Sequence, residues 1–182
     1  LVYRVKELER VRAKWGTAAK EILAKRTDGN AWEIEQALHL FACVQDGDGR
    51  ARTDRTDAEG MVIAFYGFNA EVNNGGMHQF FFNSSGDFWP YVLMILEQGN
   101  DDVGMRKFLD VISIFPDSRA STHRIKRWRQ LEAIEVADPA KAEAHFDRAS
   151  REYYESPYPS DTAFWSVVER RAGEIRSPWE ST

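Results

Sequence analysis

Apolar residues recur at steps of three and four along most of this chain, and this spacing constrains its fold more than any other feature. Near the start, Val5, Leu8, Val11, Trp15 and Ile22 follow it, and the spacing places them on one face of an α-helix. Runs of alternating polar and apolar residues, which are typical of half-buried strands, are not convincing. The exception is Val111 to Phe115, whose β-branched residues could form a short strand, although Phe108 and Ile112, four residues apart, favour a helix. The sequence therefore predicts an all-α fold, a bundle of roughly seven to nine helices.

Turn-forming clusters divide this pattern into segments. The first helix is expected to end at 27–30, and the polar stretch from Asp46 to Arg55 is expected to be a mobile loop. The second helix lies between them, and its inner face is predicted to carry Trp32, Leu38, Phe41 and Ala42. Later helices are predicted at 102–114, 121–136, 139–154 and 161–175.

Local signals mark several helix starts. Thr56 and Glu59 form a capping box, in which each side chain satisfies a free backbone N–H group. Asp87 and Asp138 are each expected to cap the helix that follows, with a proline in its first turn. The helix that the capping box opens is predicted to bury Met61, Val62, Phe65 and Phe68.

Length and composition describe an ordinary globular protein. The chain has 182 residues, of which 43% are hydrophobic and 29% charged, so bulk disorder is excluded. We expect one helical domain over residues 1–182, with the C-terminal helix at 161–175 packed on the rest. The lone Cys43 excludes an internal disulfide, and no secretion signal opens the chain, so we expect a cytoplasmic protein.

The sequence offers little for catalysis. The four histidines lie far apart and lack the spacing of a metal-binding helix. Cys43 has apolar neighbours and no local positive charge that would lower the pKa of its thiol. We therefore expect no catalytic residue, no metal and no cofactor, and predict a protein-binding module rather than an enzyme.

The most unusual stretch runs from Glu71 to Gly86 and reads E-V-N-N-G-G-M-H-Q-F-F-F-N-S-S-G. Two breaks, at the glycine pair and at 84–86, bracket a short aromatic helix from 77 to 83. Buried amides need several hydrogen-bond partners each, so this stretch predicts either a stapled helix corner or a ligand pocket. The residues assigned to that corner or pocket are Glu71, Asn74, Gly75, Gly76, Gln79, Asn83 and Ser84.

An alternative function uses the same stretch. In an enzyme or small-ligand binder, Glu71 and His78 would be the titratable groups available for acid–base chemistry. An open polar pocket would favour this alternative. Amides satisfied within the protein would favour the structural corner.

The pattern E-x-x-N-G-G-[FM]-x-Q-[FY]-F-x-N-S-S-G in this stretch resembles the signature of a bacterial family of all-helical DNA-mimic proteins. Met77 stands where that family commonly has Phe. The resemblance covers residues 10 to about 150. It implies a homodimer that regulates transcription by occupying the DNA-binding face of a protein partner. It implies no direct binding of nucleic acid or membranes.

Such a protein needs carboxylates on its surface, and the overall charge of −5 supplies only a modest excess. The basic run from Arg119 to Arg129 either binds phosphates or an acidic partner, or is paired internally. Two acidic sets flank this run. The candidate mimic surface comprises Glu97, Asp101, Asp102 and Asp110 before it and Glu132, Glu135 and Asp138 after it.

Overall fold

The computed structural model of the chain describes residues 2–44 and 55–177. Within these ranges the protein is all-α, as predicted, with short 3-10 turns between some helices and no strand. The predicted loop from 46 to 55 lies, apart from Arg55, outside the described residues. The helices are α1 (Val2–Trp15), α2 (Ala19–Leu23), α3 (Ala31–Val44), α4 (Asp57–Phe82), α5 (Trp89–Gln98), α6 (Asp102–Ile112), α7 (Arg124–Ala137), α8 (Pro139–Glu155) and α9 (Asp161–Arg170).

The helices form two compact units. The first comprises residues 1–63 and 168–182, and the second comprises residues 64–167. The division falls inside α4 and α9, so each of these helices contributes residues to both units. None of the described helices is long and apolar enough to cross a bilayer.

The first unit contains the predicted capping box. The Glu59 backbone N–H donates to Thr56 Oγ1 at 3.2 Å, and the Thr56 N–H donates to the Glu59 carboxylate at 3.1 Å. The Glu59 side chain is fully buried and also accepts hydrogen bonds from the backbone and guanidinium of Arg176. Burial raises the pKa of the Glu59 carboxyl, but the hydrogen bonds from Arg176 and Thr56 outweigh it and hold that pKa below 4.5.

The second unit has an aromatic core. Phe68 on α4 packs edge-to-face against Phe80, Phe108 and Tyr153, with ring centroids 4.8–5.6 Å apart, a favourable geometry for aromatic pairs. Each of these rings is buried. Phe80 lies on α4, like Phe68 itself, whereas Phe108 lies on α6 and Tyr153 on α8. The Phe68 ring therefore packs three helices together.

Two predictions in the first unit are wrong. The first predicted helix is in fact two, because Gly16, with φ of +125°, interrupts it between α1 and α2. Trp32 and Val5, assigned to inner faces, are largely exposed. The helices predicted at 102–114 and 121–136 in the second unit rest on an apolar spacing that includes Val103, Leu109 and Ile125, yet these three side chains are exposed.

Replacing Glu59 by Gln should lower the free energy of unfolding by about 2 kcal/mol near pH 7, because hydrogen bonds to a charged group are lost. The pKa of Glu59 is depressed in the folded protein, so its contribution is present above about pH 4.5 and disappears as the pH falls further. Urea denaturation should therefore show a difference between wild type and Glu59→Gln that shrinks at lower pH. A difference independent of pH would contradict this account.

Candidate functional site

The predicted break at the glycine pair is present. Gly75 (φ −163°, ψ 22°) and Gly76 (φ 78°, ψ −175°) are non-helical, although helical hydrogen bonding resumes at once and α4 continues to Phe82. Only Gly76 has a positive φ, which strains residues with a side chain. Gly75 is extended, and a Cβ there would displace the side-chain amide of Gln79, which binds Glu71. The two glycines thus meet different constraints.

A carboxylate-centred network joins the two sides of this break. Glu71 Oε2 accepts hydrogen bonds from the side-chain amides of Gln79 and Asn83, each at 2.7 Å, and Glu71 Oε1 accepts one from Ser85 Oγ at 3.0 Å. All four side chains are partly buried. Asn74 and Ser84 are exposed and take no part in the network. The structure therefore joins three of the predicted residues and leaves two of them at the surface.

Ser150 on α8 caps the helical segment that follows the break. Its hydroxyl accepts a hydrogen bond from the Met77 N–H at 2.9 Å and donates to the Phe146 carbonyl at 2.7 Å. A Cβ on Gly76 would lie 2.6 Å from the same hydroxyl. Glycine is needed here for close approach as well as for backbone conformation.

Arg127 joins α7 to the end of the motif. Its side chain is completely buried, and its guanidinium donates to the carbonyls of Phe81, Asn83 and Ser121 and to the Asp87 carboxylate. Burial lowers the pKa of the guanidinium and the Asp87 ion pair opposes that shift, but an arginine stays charged in any case. This member of the basic run is therefore paired internally.

Asp87 consequently does something other than predicted. It makes no cap for α5, whose N-cap residue is Phe88, and instead forms a 2.7 Å ion pair with Arg127. The proline expected in the first turn of α5 is present. An aspartate before a helix can act either as a cap or as an ion-pair partner, and the sequence does not distinguish the two roles. The position of the buried Arg127 makes Asp87 an ion-pair partner.

Gly86 provides the space that Arg127 occupies. A Cβ at this position would lie 2.7 Å from the Phe80 carbonyl oxygen and 2.8 Å from Arg127 Nε. The last glycine of the motif thus permits a close approach between backbone and guanidinium. It shows no positive φ, so the constraint is one of space.

The two titratable groups considered for acid–base chemistry have separate partners. His78 Nε2 lies 2.7 Å from Glu135 Oε1 on α7, whereas Glu71 binds the amides described above. Among the described residues, no group of three or more His, Cys, Asp or Glu side chains is arranged to hold a metal ion.

The acidic candidates differ in how free they are. Glu97, Asp102 and Glu132 are exposed, with no hydrogen bond or ion pair to other described residues. Asp101 binds the backbone N–H groups of Gly104 and Ser160, and Asp110 pairs with Arg148 at 2.6 Å. Glu135 contacts His78, and Asp138 caps α8 as predicted through the Lys141 N–H.

The basic run and the second acidic set share one helix. Arg129 and Glu132 are three residues apart on α7 and both are exposed, so they lie on the same face. The guanidinium of Arg124 instead lies over the Trp128 ring, with its Cζ atom 4.5 Å from the ring centroid. The surface of α7 is thus basic in its first half and acidic in its second half.

Replacing Gly86 by Ala should destabilise the protein by about 2 kcal/mol, because overpacking at this position displaces the buried arginine. Gly173→Ala is the matched control, since a Cβ there meets nothing within 4 Å. Thermal or urea denaturation measures both variants. Equal stability of the two variants would show that Gly86 is not needed to admit Arg127.

Comparison with known proteins places this site within a family. No curated protein and no solved structure matches the chain significantly. A family model described as DMP19-like protein matches residues 54–170, which include the whole motif. This match begins later than the expected start near residue 10 and extends beyond residue 150. Because it covers more than half of the chain, the protein belongs to the DMP19-like protein family.

Proposed function

We propose that this protein is a non-catalytic binding module that occupies the DNA-binding face of a protein partner, with carboxylates in place of DNA phosphates. Family membership supports a role in protein binding, and the motif's resemblance to DNA-mimic proteins supplies the type of partner. The observation that carries the proposal is the distribution of free carboxylates in the second unit.

The acidic surface is concentrated on the last turns of α7, the first turns of α8 and the residue between these helices. From 132 to 147 the chain carries Glu132, Glu135, Asp138, Glu143 and Asp147, with Lys141 as the one basic residue. All five carboxylates are exposed. We call residues 132–147 the acidic hairpin.

The acidic set before the basic run offers fewer free carboxylates than the acidic hairpin does. Asp101 and Asp110 already bind groups of the protein itself, and that leaves Glu97 and Asp102. Arg106 and Lys107 follow closely in the chain. The acidic hairpin is therefore the part of the chain best suited to meet a basic DNA-binding surface.

We also propose that the Glu71 to Gly86 motif has a structural role in this function. Its amides bind a carboxylate of the same chain, its glycines allow close approach, and it surrounds the buried guanidinium of α7. These contacts support a corner that holds α7 and α8 in place. The ligand-pocket alternative has no comparable observation in its favour.

The test begins with capture of partners from a lysate of the source cell at low salt. A DNA-binding protein should be retained and then released by added duplex DNA. Its association with the wild-type protein should slow steeply as salt is raised, because exposed charges are screened over about 8 to 10 Å at ordinary ionic strength.

Reversing the three hairpin carboxylates that have no internal partner should slow association about tenfold or more at low salt, because steering by charge acts on encounter. The variant is Glu132→Lys, Glu143→Lys and Asp147→Lys. The control makes the same change in net charge at exposed residues outside both acidic sets, through Glu9→Lys, Glu155→Lys and Asp161→Lys. Equal effects of the two variants, or retention that duplex DNA does not disturb, would contradict the proposal.

A further inference from the structure

A recess of about 400 Å³ lies beside the acidic hairpin, within the second unit. This volume is within the usual range for small-ligand pockets, about 300 to 1,000 Å³. Pro139, Ala142 and Phe146 of α8 form its apolar floor, of which Pro139 is exposed while Ala142 and Phe146 show little surface. Glu135, Glu143 and Asp147 surround it with carboxylates, and His78 borders it from α4. No Lys or Arg of the described chain is among the residues that line it.

The carboxylates of this recess have few partners in the protein. The carboxylates of Glu143 and Asp147 are exposed and make no hydrogen bond or ion pair with the described residues. They stand four residues apart on α8, where two like charges repel each other and destabilise the helix. Glu135 binds His78 through one oxygen, at 2.7 Å. A cation placed between Glu143 and Asp147 would relieve their repulsion.

The apolar floor selects among cations. A guanidinium presents a planar fork that matches carboxylates, and it is less strongly hydrated than an ammonium group. The aliphatic stem of arginine also covers apolar surface while its charged end stays near water. A recess with an apolar floor and a carboxylate rim therefore fits arginine better than lysine or a metal ion.

The surface next to the recess is of the kind that proteins bind. Phe82 is 46% exposed, and its ring stacks with His78 on one side and Trp128 on the other, at centroid distances of 6.0 and 5.1 Å. Exposed aromatic side chains are enriched among the residues that dominate binding energy in protein interfaces. This stack continues the recess into an apolar contact surface.

We propose that the recess receives an arginine side chain of a protein partner, with its stem on the apolar floor and its guanidinium between Glu143 and Asp147. The inference rests on the proposed function for the class of partner, since DNA-binding faces are rich in arginine. It adds the specific site, the recess, at which one such arginine binds.

The test is an NMR titration of the isotope-labelled protein with the tripeptide acetyl-Gly-Arg-Gly-amide and, separately, with its Lys counterpart. Backbone amides from 142 to 147 should shift, and the arginine peptide should bind about fivefold more tightly than the lysine peptide. The variant Glu143→Gln with Asp147→Asn keeps the side-chain sizes. It should weaken binding of the arginine peptide about fivefold or more.

The control variant, Glu155→Gln with Asp161→Asn, removes the same charge from two exposed residues outside both acidic sets and should bind the arginine peptide as the wild type does. Equal affinity for the two peptides, shifts scattered over all acidic surfaces, or unchanged binding by the recess variant would overturn the inference.

The titration uses no protein partner, so its result is independent of the test of the proposed function. If the hairpin reversals prevent capture of a DNA-binding protein but the peptide does not bind, the proposed function stands and the arginine recess fails. If the arginine peptide binds but no DNA-binding protein is captured, the recess binds arginine and the proposed function fails.

Discussion

The second unit depends on the buried guanidinium of Arg127. A charge that is fully removed from water destabilises a protein unless it is paired and hydrogen-bonded. Here three backbone carbonyls and the Asp87 carboxylate accept four hydrogen bonds, which together use all three nitrogens of the guanidinium. Because Phe81 and Asn83 lie at and beyond the end of α4 while Arg127 belongs to α7, these bonds fix the position of one helix against the other.

The sequence motif surrounds this arginine. Gly86 leaves room for the guanidinium, and the Glu71 network holds Asn83, whose own carbonyl accepts one of the arginine's bonds. Ser150 then attaches α8 to the segment after the glycine pair. In this account the glycines and the Glu71 network of the motif support the binding surface indirectly, because they position the two helices that carry the acidic hairpin.

Sequence reasoning predicted the features that depend on local signals. The helices, the capping box at Thr56, the cap at Asp138 and the break at the glycine pair each follow from residues within one turn of each other. Local periodicity failed where it could not tell a core face from a partly exposed one, as at Trp32. It also missed the interruption at Gly16, whose positive φ divides α1 from α2.

The candidate site was less predictable, since its contacts join residues far apart in the chain. Arg127 stands in a run of basic residues that looks like a solvated surface, and only the fold places it beside Asp87 and the Asn83 carbonyl. The recess combines His78 of α4 with side chains of α7 and α8. Each of these residues is ordinary by itself, and no spacing in the sequence connects them.

The central claim is that the acidic hairpin binds the partner while the motif supports it from behind. Hydrogen–deuterium exchange, measured for the protein alone and in complex with a captured DNA-binding partner, tests this division directly. The account predicts added protection in residues 132–147 and unchanged exchange in residues 71–76 and 83–86, which hold the Glu71 network and its glycines. Protection concentrated in those two segments, where Asn74 and Ser84 are exposed, would contradict it and make the motif itself the binding site.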